Sequence, residues 1–539
     1  MNALDYPLPE LDVTDRPLFV TATAAKEWAT TLPLANPGEV QQLLIKEIEH
    51  LNRYPLPARE RLAILDTLRK AVSFAQEEAG KRYIGKALPL IPGEQHWLTM
   101  TQRLRRACLT GTVHCLEEAL AGNDRTFAAL VLQRALVHLA SLQVEGLRGG
   151  QTLLPAHWRQ LHQLLALAEC RDLHTQPVKD TARYGDTPTT ALAAYGEALL
   201  LQAASPFELS ARQLAWVARW VRRWGSKLVL ATTPPENLDA LPLAVDLHSA
   251  LPPRHLPFTG AGARLFWTHA LRDSLKSRIA LLGQGRSPAD LQLGDDCSQP
   301  ASELLLKFLY PRWCKDGQAR GMERHPENSP GRVLTQPNSL YYYLSGGKYL
   351  NQAPASSQQP SFTDLRKERE HLAMFGSLPT TAQKIEEKTP PPPLESGWQC
   401  KDESAIGLRL ARPLNATGCE RLRQGQLLAV EPPGAKHFLL AVVRWLRAAP
   451  EEDEGWLHAG VQLLPGPVGA STLRPANSQD AWRIGYFLPP LPIRHEEASV
   501  LIPTGIFRTN LQLQLPGNET ITLTSLLDRG EDFDRVLYT

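Results

Sequence analysis

Trp398-Gln-Cys-Lys-Asp-Glu-Ser-Ala-Ile-Gly-Leu-Arg-Leu410 is the stretch on which the reading of the chain turns. It sets Asp402, Ser404 and Gly407 in the pattern D-x-S-x-x-G, between strand-like runs at Gly397 to Lys401 and Ala405 to Ala411. Further short runs follow at Gln426 to Glu431, His437 to Leu446 and Trp456 to Leu464, with Gly434-Ala-Lys436 and Glu451-Glu-Asp-Glu-Gly455 as polar turns. A strand at Gly331-Arg-Val-Leu-Thr335 lies ahead of them. Together they make about six strands, enough to close a small barrel. Ser339 to Leu344 also reads as strand-like.

Downstream, Ala481 to Leu488 and Val500 to Ile502 are strand-like. Leu511, Leu513 and Leu515 alternate, as do Ile521 and Leu523, across the turn Pro516-Gly-Asn518, which predicts a hairpin. Leu526-Leu-Asp-Arg-Gly530 reads as a short terminal helix. Upstream, residues 351–395 are rich in Gln, Ser, Pro and charge and form a poor core, so they read as a disordered insertion. The tetraproline that follows Thr389 is a stiff spacer.

The first half follows a different rule. Asn36 caps and Pro37 opens a helix whose apolar positions Val40, Leu43, Leu44, Ile48 and Leu51 recur at helical spacing. Helices are expected from Leu56, over 94–120, over 124–142, at 155–170, 189–203 and 208–223, over 262–282 and over 300–310. Strands are expected from Ser226 and, as an edge because of Pro242, over 241–247. The spans are 1–36 as an extended arm, 37–310 as a helical domain offering a surface to a protein partner, 311–470 as the barrel with its insertion, and 471–539 as a small C-terminal β unit.

Composition limits what these domains do. The 539 residues are 43% apolar, enough for real cores. With 58 basic against 56 acidic residues there is no general attraction to nucleic acid or to an anionic membrane, so any anion site is local. The longest apolar run, Phe127 to Leu142, is broken by Gln133, Arg134 and His138 and falls short of the roughly 20 residues of a membrane span. The N-terminus lacks the layout of a secretory signal, so a cytoplasmic location is expected. Seven cysteines without a C-x-x-C pair argue against a disulfide framework and a cysteine metal site; Cys108 and Cys115 share a helix face and read as core. No Ser/His/Asp or Cys/His arrangement can be assembled, so no enzyme is expected. Arg219 and Arg223, and the pair Asp295-Asp296, read as solvated surface.

One constellation carries recognition chemistry. Arg320-Gly-Met-Glu-Arg324 places two arginines four apart, on one side of the chain. An arginine fork satisfies guanine O6 and N7 together and pairs equally with phosphate. A carboxylate such as Asp402 accepts from guanine's N–H edge; Ser404 adds a hydroxyl, and Gly407 lets the backbone approach closely.

These motifs resemble those of the PilZ domain, a β-barrel family that binds cyclic di-GMP. Arg320 and Arg324 match its R-x-x-x-R; Asp402, Ser404 and Gly407 match its [D/N]-x-S-x-x-G. Gly425-Gln-Leu-Leu428, Val442-Val-Arg-Trp445 and Gly460-Val-Gln-Leu-Leu464 fall in the expected order. The resemblance spans roughly 310–470 and implies an α+β multidomain protein: an N-terminal all-α array, a six-stranded antiparallel PilZ-like barrel and a small C-terminal β unit. It implies a cyclic di-GMP effector with no other cofactor and no metal, whose helices carry a signal to a protein in motility, attachment or exopolysaccharide control. The alternative is a PilZ-like scaffold that has lost its nucleotide. The motifs depart from the family in spacing, since Arg324 and Asp402 stand 78 positions apart. A rival pair, Arg366 and Arg369, lies nearer but is misspaced by one.

Overall fold

The computed structural model describes residues 4–233, 241–255, 259–314, 324–350 and 390–539, apart from 396, 433, 436, 450–454, 477, 479 and 493–495. The chain divides into two units, Met1–Glu323 with Arg447–Gly455, and Arg324–Leu446 with Trp456–Thr539. The class is α+β and multidomain.

In the first unit come α1 (Ala22–Thr30), α2 (Pro37–Arg53), α3 (Ala58–Gly80), α4 (Pro92–His114), α5 (Leu116–Ala121), α6 (Arg125–Arg148), α7 (Pro155–Cys170), α8 (Thr181–Tyr184), α9 (Ala191–Ala203) and α10 (Ala211–Trp224). A sheet of β1 (Val229–Ala231), β2 (Leu243–Asp246) and β3 (Ala263–Trp267), in the order β1-β3-β2, precedes α11 (His269–Gly283) and α12 (Ala301–Cys314). Asn36 accepts from the Glu39 N–H at 3.4 Å with Pro37 in the first turn, as its sequence requires. β2 is an edge strand, which suits Pro242 just before it.

Three expectations fail in this unit. The arm of 1–36 contains α1, capped by Thr21 on the Ala24 N–H. The 262–282 run begins as strand β3, where Ala263, Leu265 and Phe266 are buried, and turns helical only after Thr268. Arg219 and Arg223 are not simply solvated. Arg219 pairs with Asp296 at 2.7 Å and donates to the Leu293 carbonyl at 3.0 Å. Arg223 donates to Gln292 O at 2.5 Å, so both fasten the 292–296 loop to α10.

The unit is built around α6. It packs against α4, α5, α7 and α9 and is buried almost continuously from Ala128 to Leu147. At 24 residues it is long and apolar enough to cross a membrane, yet 83% of its most apolar window is buried inside the unit, as in a core helix. Two of its polar residues find internal partners: Gln143 donates to Ala198 O at 3.1 Å, and Glu145 accepts the Tyr83 hydroxyl at 2.6 Å. Cys108 and Cys115 are both buried, in separate apolar clusters.

On α10, Trp216, Trp220 and Trp224 recur every four residues and form a ladder with ring centroids 6.2 and 5.6 Å apart; Trp313 of α12 meets its end edge-on at 5.7 Å. Where α10 ends, Gly225 lies against α9 so closely that a Cβ there would stand 2.4 Å from Ala193 O and 3.0 Å from Glu197 N. Backbone cannot retreat as a side-chain tip can. Gly225→Ala is therefore expected to destabilise the unit by about 1–3 kcal/mol, read as a lower urea midpoint. An unchanged midpoint means that the contact relaxes freely.

The second unit begins with β4 (His325–Pro330), β5 (Arg332–Leu334) and α13 (Pro337–Leu344), then β6 (Gln399–Ser404), β7 (Gly407–Pro413), β8 (Leu427–Glu431), β9 (Leu439–Ala449) and β10 (Trp456–Leu463). These strands form one seven-stranded sheet, β4-β6-β7-β10-β9-β8-β5. Then β11 (Gly469–Pro475), β12 (Arg483–Leu488), β13 (Ser499–Pro503), β14 (Gln512–Gln514), β15 (Thr520–Arg529) and β16 (Phe533–Tyr538) close a six-stranded antiparallel barrel in the order β11-β12-β13-β16-β15-β14. The closed barrel thus lies at 469–538, where a small β unit was expected, and the motif strands belong to the larger sheet. Leu334, Leu427, Val442, Tyr486, Leu501 and Phe533 share one core, so the sheet and the barrel pack as a single body.

Two local expectations are corrected here. Ser339 to Leu344 is helix α13, because Pro337 sits in its first turn and Leu340 and Tyr341 fall on one buried face. Leu526 to Gly530 is no terminal helix: Leu526 to Arg529 continue β15, which pairs with β16 through two register shifts. The ends of the 351–389 stretch are tied together, since Tyr349 donates to Pro390 O at 2.7 Å and Tyr343 to Pro392 O at 3.0 Å. An extended proline segment leaves its carbonyls free, and these tyrosines use them.

Candidate functional site

β4 and β6 pair antiparallel, with His325 opposite Glu403 and Pro326 opposite Asp402. Arg324 immediately precedes His325, so chain continuity delivers it to the Asp402–Ser404 end of β6. The two motif halves, 78 positions apart, meet: the Arg324 guanidinium donates to Asp402 Oδ1 in a short charge-assisted hydrogen bond. The 351–389 stretch adds separation along the sequence but none in space, because strand pairing sets the geometry.

Ser404 and Gly407 end β6 and begin β7, joined by Ala405-Ile406. The Ser404 hydroxyl donates to Gly407 O at 3.1 Å, closing the hairpin across its tip. The Leu463 N–H donates to Ile406 O at 2.9 Å and ties the tip to the end of β10. Gly407 is needed for close approach: a Cβ there would lie 2.6 Å from Val461 O on β10. Its φ is not in the left-handed region, so contact and not turn conformation demands glycine.

The register shift between Cys400 and Asp402 places Asp402 opposite Arg409 of β7. Arg409 Nη1 stands 3.6 Å from Asp402 Oδ2, and Arg409 Nε is buried without a hydrogen-bond partner. One carboxylate therefore faces two guanidiniums. Sequence reading missed Arg409; its signal was the position two residues past Gly407 on a strand, which returns a side chain to the same face. Arg409 lies opposite Gly460 on β10. The Trp445 indole of β9 covers Gly460 so closely that a Cβ would stand 2.0 Å from its Nε1. The face thus offers a carboxylate, two arginines and a flat aromatic ring within one stretch of sheet. Arg320, and the rival pair Arg366 and Arg369, lie outside the described residues.

Residues 23–236 match the family described as "Cyclic-di-GMP receptor FimW, N-terminal domain". A curated protein of Pseudomonas aeruginosa (strain PAO1), "Cyclic-di-GMP receptor FimW", is 23% identical over 541 residues, covering 92% of this chain and 86% of its own length. This chain is similar to FimW. The likeness runs through both units, since the domain match lies in the helices and the pairwise match covers nearly the whole chain. The helical region suggested no family on sequence reading, and it is the part the FimW domain matches. The resemblance to the cyclic di-GMP receptor family, with a large N-terminal helical region, stands on these two matches.

Proposed function

We propose that the chain is a cyclic di-GMP-binding effector without catalytic activity. What supports this most is the convergence of Arg324 and Arg409 on Asp402 beside the Ser404–Gly407 hairpin, in a chain similar to a cyclic di-GMP receptor. Without nucleotide, Asp402 holds Arg324. A guanine N–H edge takes over the Asp402 carboxylate, and the released Arg324 turns its fork to O6 and N7 or to a phosphate. Arg320 supplies the second prong. Arg409 stays against Asp402 and keeps the site cationic. Ser404 and Gly407 hold the hairpin tip, and Trp445 offers a face on which a base stacks.

Exchange of the Arg324 partner is a local switch. It changes what the start of β4 presents when ligand is bound, and a protein partner reads that change. Motility, attachment or exopolysaccharide control is the process, and the cytoplasm the compartment, that this reading assigns. Calorimetric titration of the full chain with cyclic di-GMP tests it. Saturable heat with a Kd in the micromolar range or below is expected, and GMP at equal concentration gives none. Absence of heat moves the protein to the scaffold reading.

A further inference from the structure

A second cationic site lies inside the helical unit, apart from the sheet. Helices α3, α4, α6, α8 and α10 enclose a cavity of about 220 Å³. Six arginines line it: Arg69, Arg105, Arg134, Arg148, Arg183 and Arg222. Four of them are matched. Arg69 and Arg134 share the fully buried Asp180 at 2.8 and 2.7 Å. Arg183 pairs with Glu197 at 2.5 Å, and Arg148 reaches Glu145 at 3.4 Å.

Arg105 and Arg222 are different. Neither has a hydrogen-bond or ion-pair partner among the described residues, and Arg105 Nε is buried and unsatisfied. Burial pushes the Arg105 guanidinium below its ordinary value. His138 also lines the cavity, with Nδ1 unpartnered and its charged form strongly disfavoured by burial and by Arg105. The carboxylates on the wall are Asp66 and Glu145, which face arginines, and the exposed Glu77. A buried unpaired guanidinium is costly unless something anionic joins it.

We propose that this cavity is an anion site that takes a small phosphate-class dianion between Arg105 and Arg222. Arginine forks match tetrahedral oxyanions bidentately. The volume suits a phosphate or a compact phosphate ester, because larger ligands occupy pockets of about 300–1,000 Å³. The site is thus too small for a cyclic dinucleotide, and it is independent of the sheet reading. A ligand bridging α4 and α10 stabilises the folded unit by mass action.

Thermal unfolding of the full chain in phosphate-free buffer tests this. Inorganic phosphate and, separately, glycerol phosphate are added against sodium chloride at matched ionic strength. A saturable rise in Tm with either anion, and none with chloride, is expected. A rise with both points to free phosphate as sufficient; a rise with the ester alone points to an ester ligand. In Arg222→Gln, at the solvent-exposed rim, the concentration needed rises at least tenfold; Arg105→Gln does the same if it folds. Arg508→Gln, at an exposed arginine of the other unit, keeps the full response. No rise with either anion, equal rises in wild type and Arg222→Gln, or loss of the response in Arg508→Gln overturns the proposal.

Discussion

Arg324→Ala is expected to weaken cyclic di-GMP binding about a hundredfold while leaving stability nearly unchanged. Each bidentate arginine contact is worth about 1–3 kcal/mol, and removing one member of a hydrogen-bonded charge pair at a binding surface costs about 2–5 kcal/mol. A tenfold change is about 1.4 kcal/mol, so the midrange is two decades. Folding is different. The Arg324 and Asp402 side chains keep 31% and 17% of their exposure, and a pair so open to water contributes at most about 1 kcal/mol. Asp402→Ala loses the guanine edge acceptor and should fall by a similar factor. If both residues act on one bound guanine, the double variant loses less than the sum of the two. Calorimetry on the three variants, with urea midpoints alongside, checks this. A loss of affinity matched by a loss of stability would show that the pair only holds the sheet together.

The second large effect is acid lability of the helical unit. Burial holds His114 down to about 4 and His157 down to about 3, with the Arg61 and Arg106 charges adding to the effect respectively. His138 is held well below its ordinary value, by burial and by four neighbouring arginines. In the unfolded chain each titrates near 6.5. Between about 6.5 and 4 the unfolded state therefore binds more protons, so stability is full above 6.5 and falls as pH drops. His114 and His157 each cost about 1–2 kcal/mol by pH 5, and His138 acts in the same direction, so the loss is a large share of the marginal stability of an ordinary domain.

In the other unit the sign is opposite for Asp532, which accepts the Leu427 N–H at 3.0 Å. Desolvation raises it to about 6, so its contribution improves as pH falls through that value. Urea unfolding followed at 222 nm, where helices dominate, should lose several kcal/mol from pH 7 to 5, and His157→Gln should recover part of the loss. A flat profile over that range would mean that the three imidazoles reach water in the folded state.

Caps and periodic stripes were legible: Asn36-Pro37 opens α2, and the apolar positions from Val40 to Leu51 line its buried face. These depend on neighbours a turn away. The misreadings came where short apolar runs carry no period long enough to separate strand from helix, as at Ala263–Trp267 and Ser339–Leu344. Arg219 and Arg223 misled for another reason: their partners, 292–296, lie some seventy residues on.

By itself the sequence determined the α+β class and the helical first half, and it was enough to propose Arg320, Arg324, Asp402, Ser404 and Gly407 as one constellation, because residue chemistry and local spacing are enough to state them. Only the tertiary structure decided that Arg324 reaches Asp402, that Arg409 joins them, and that the closed barrel is the one at 469–538. Strand pairing is long-range: β4 finds β6 across seven tens of residues through backbone hydrogen bonds that every residue type can make. A one-residue register shift then chooses which side chain faces Asp402.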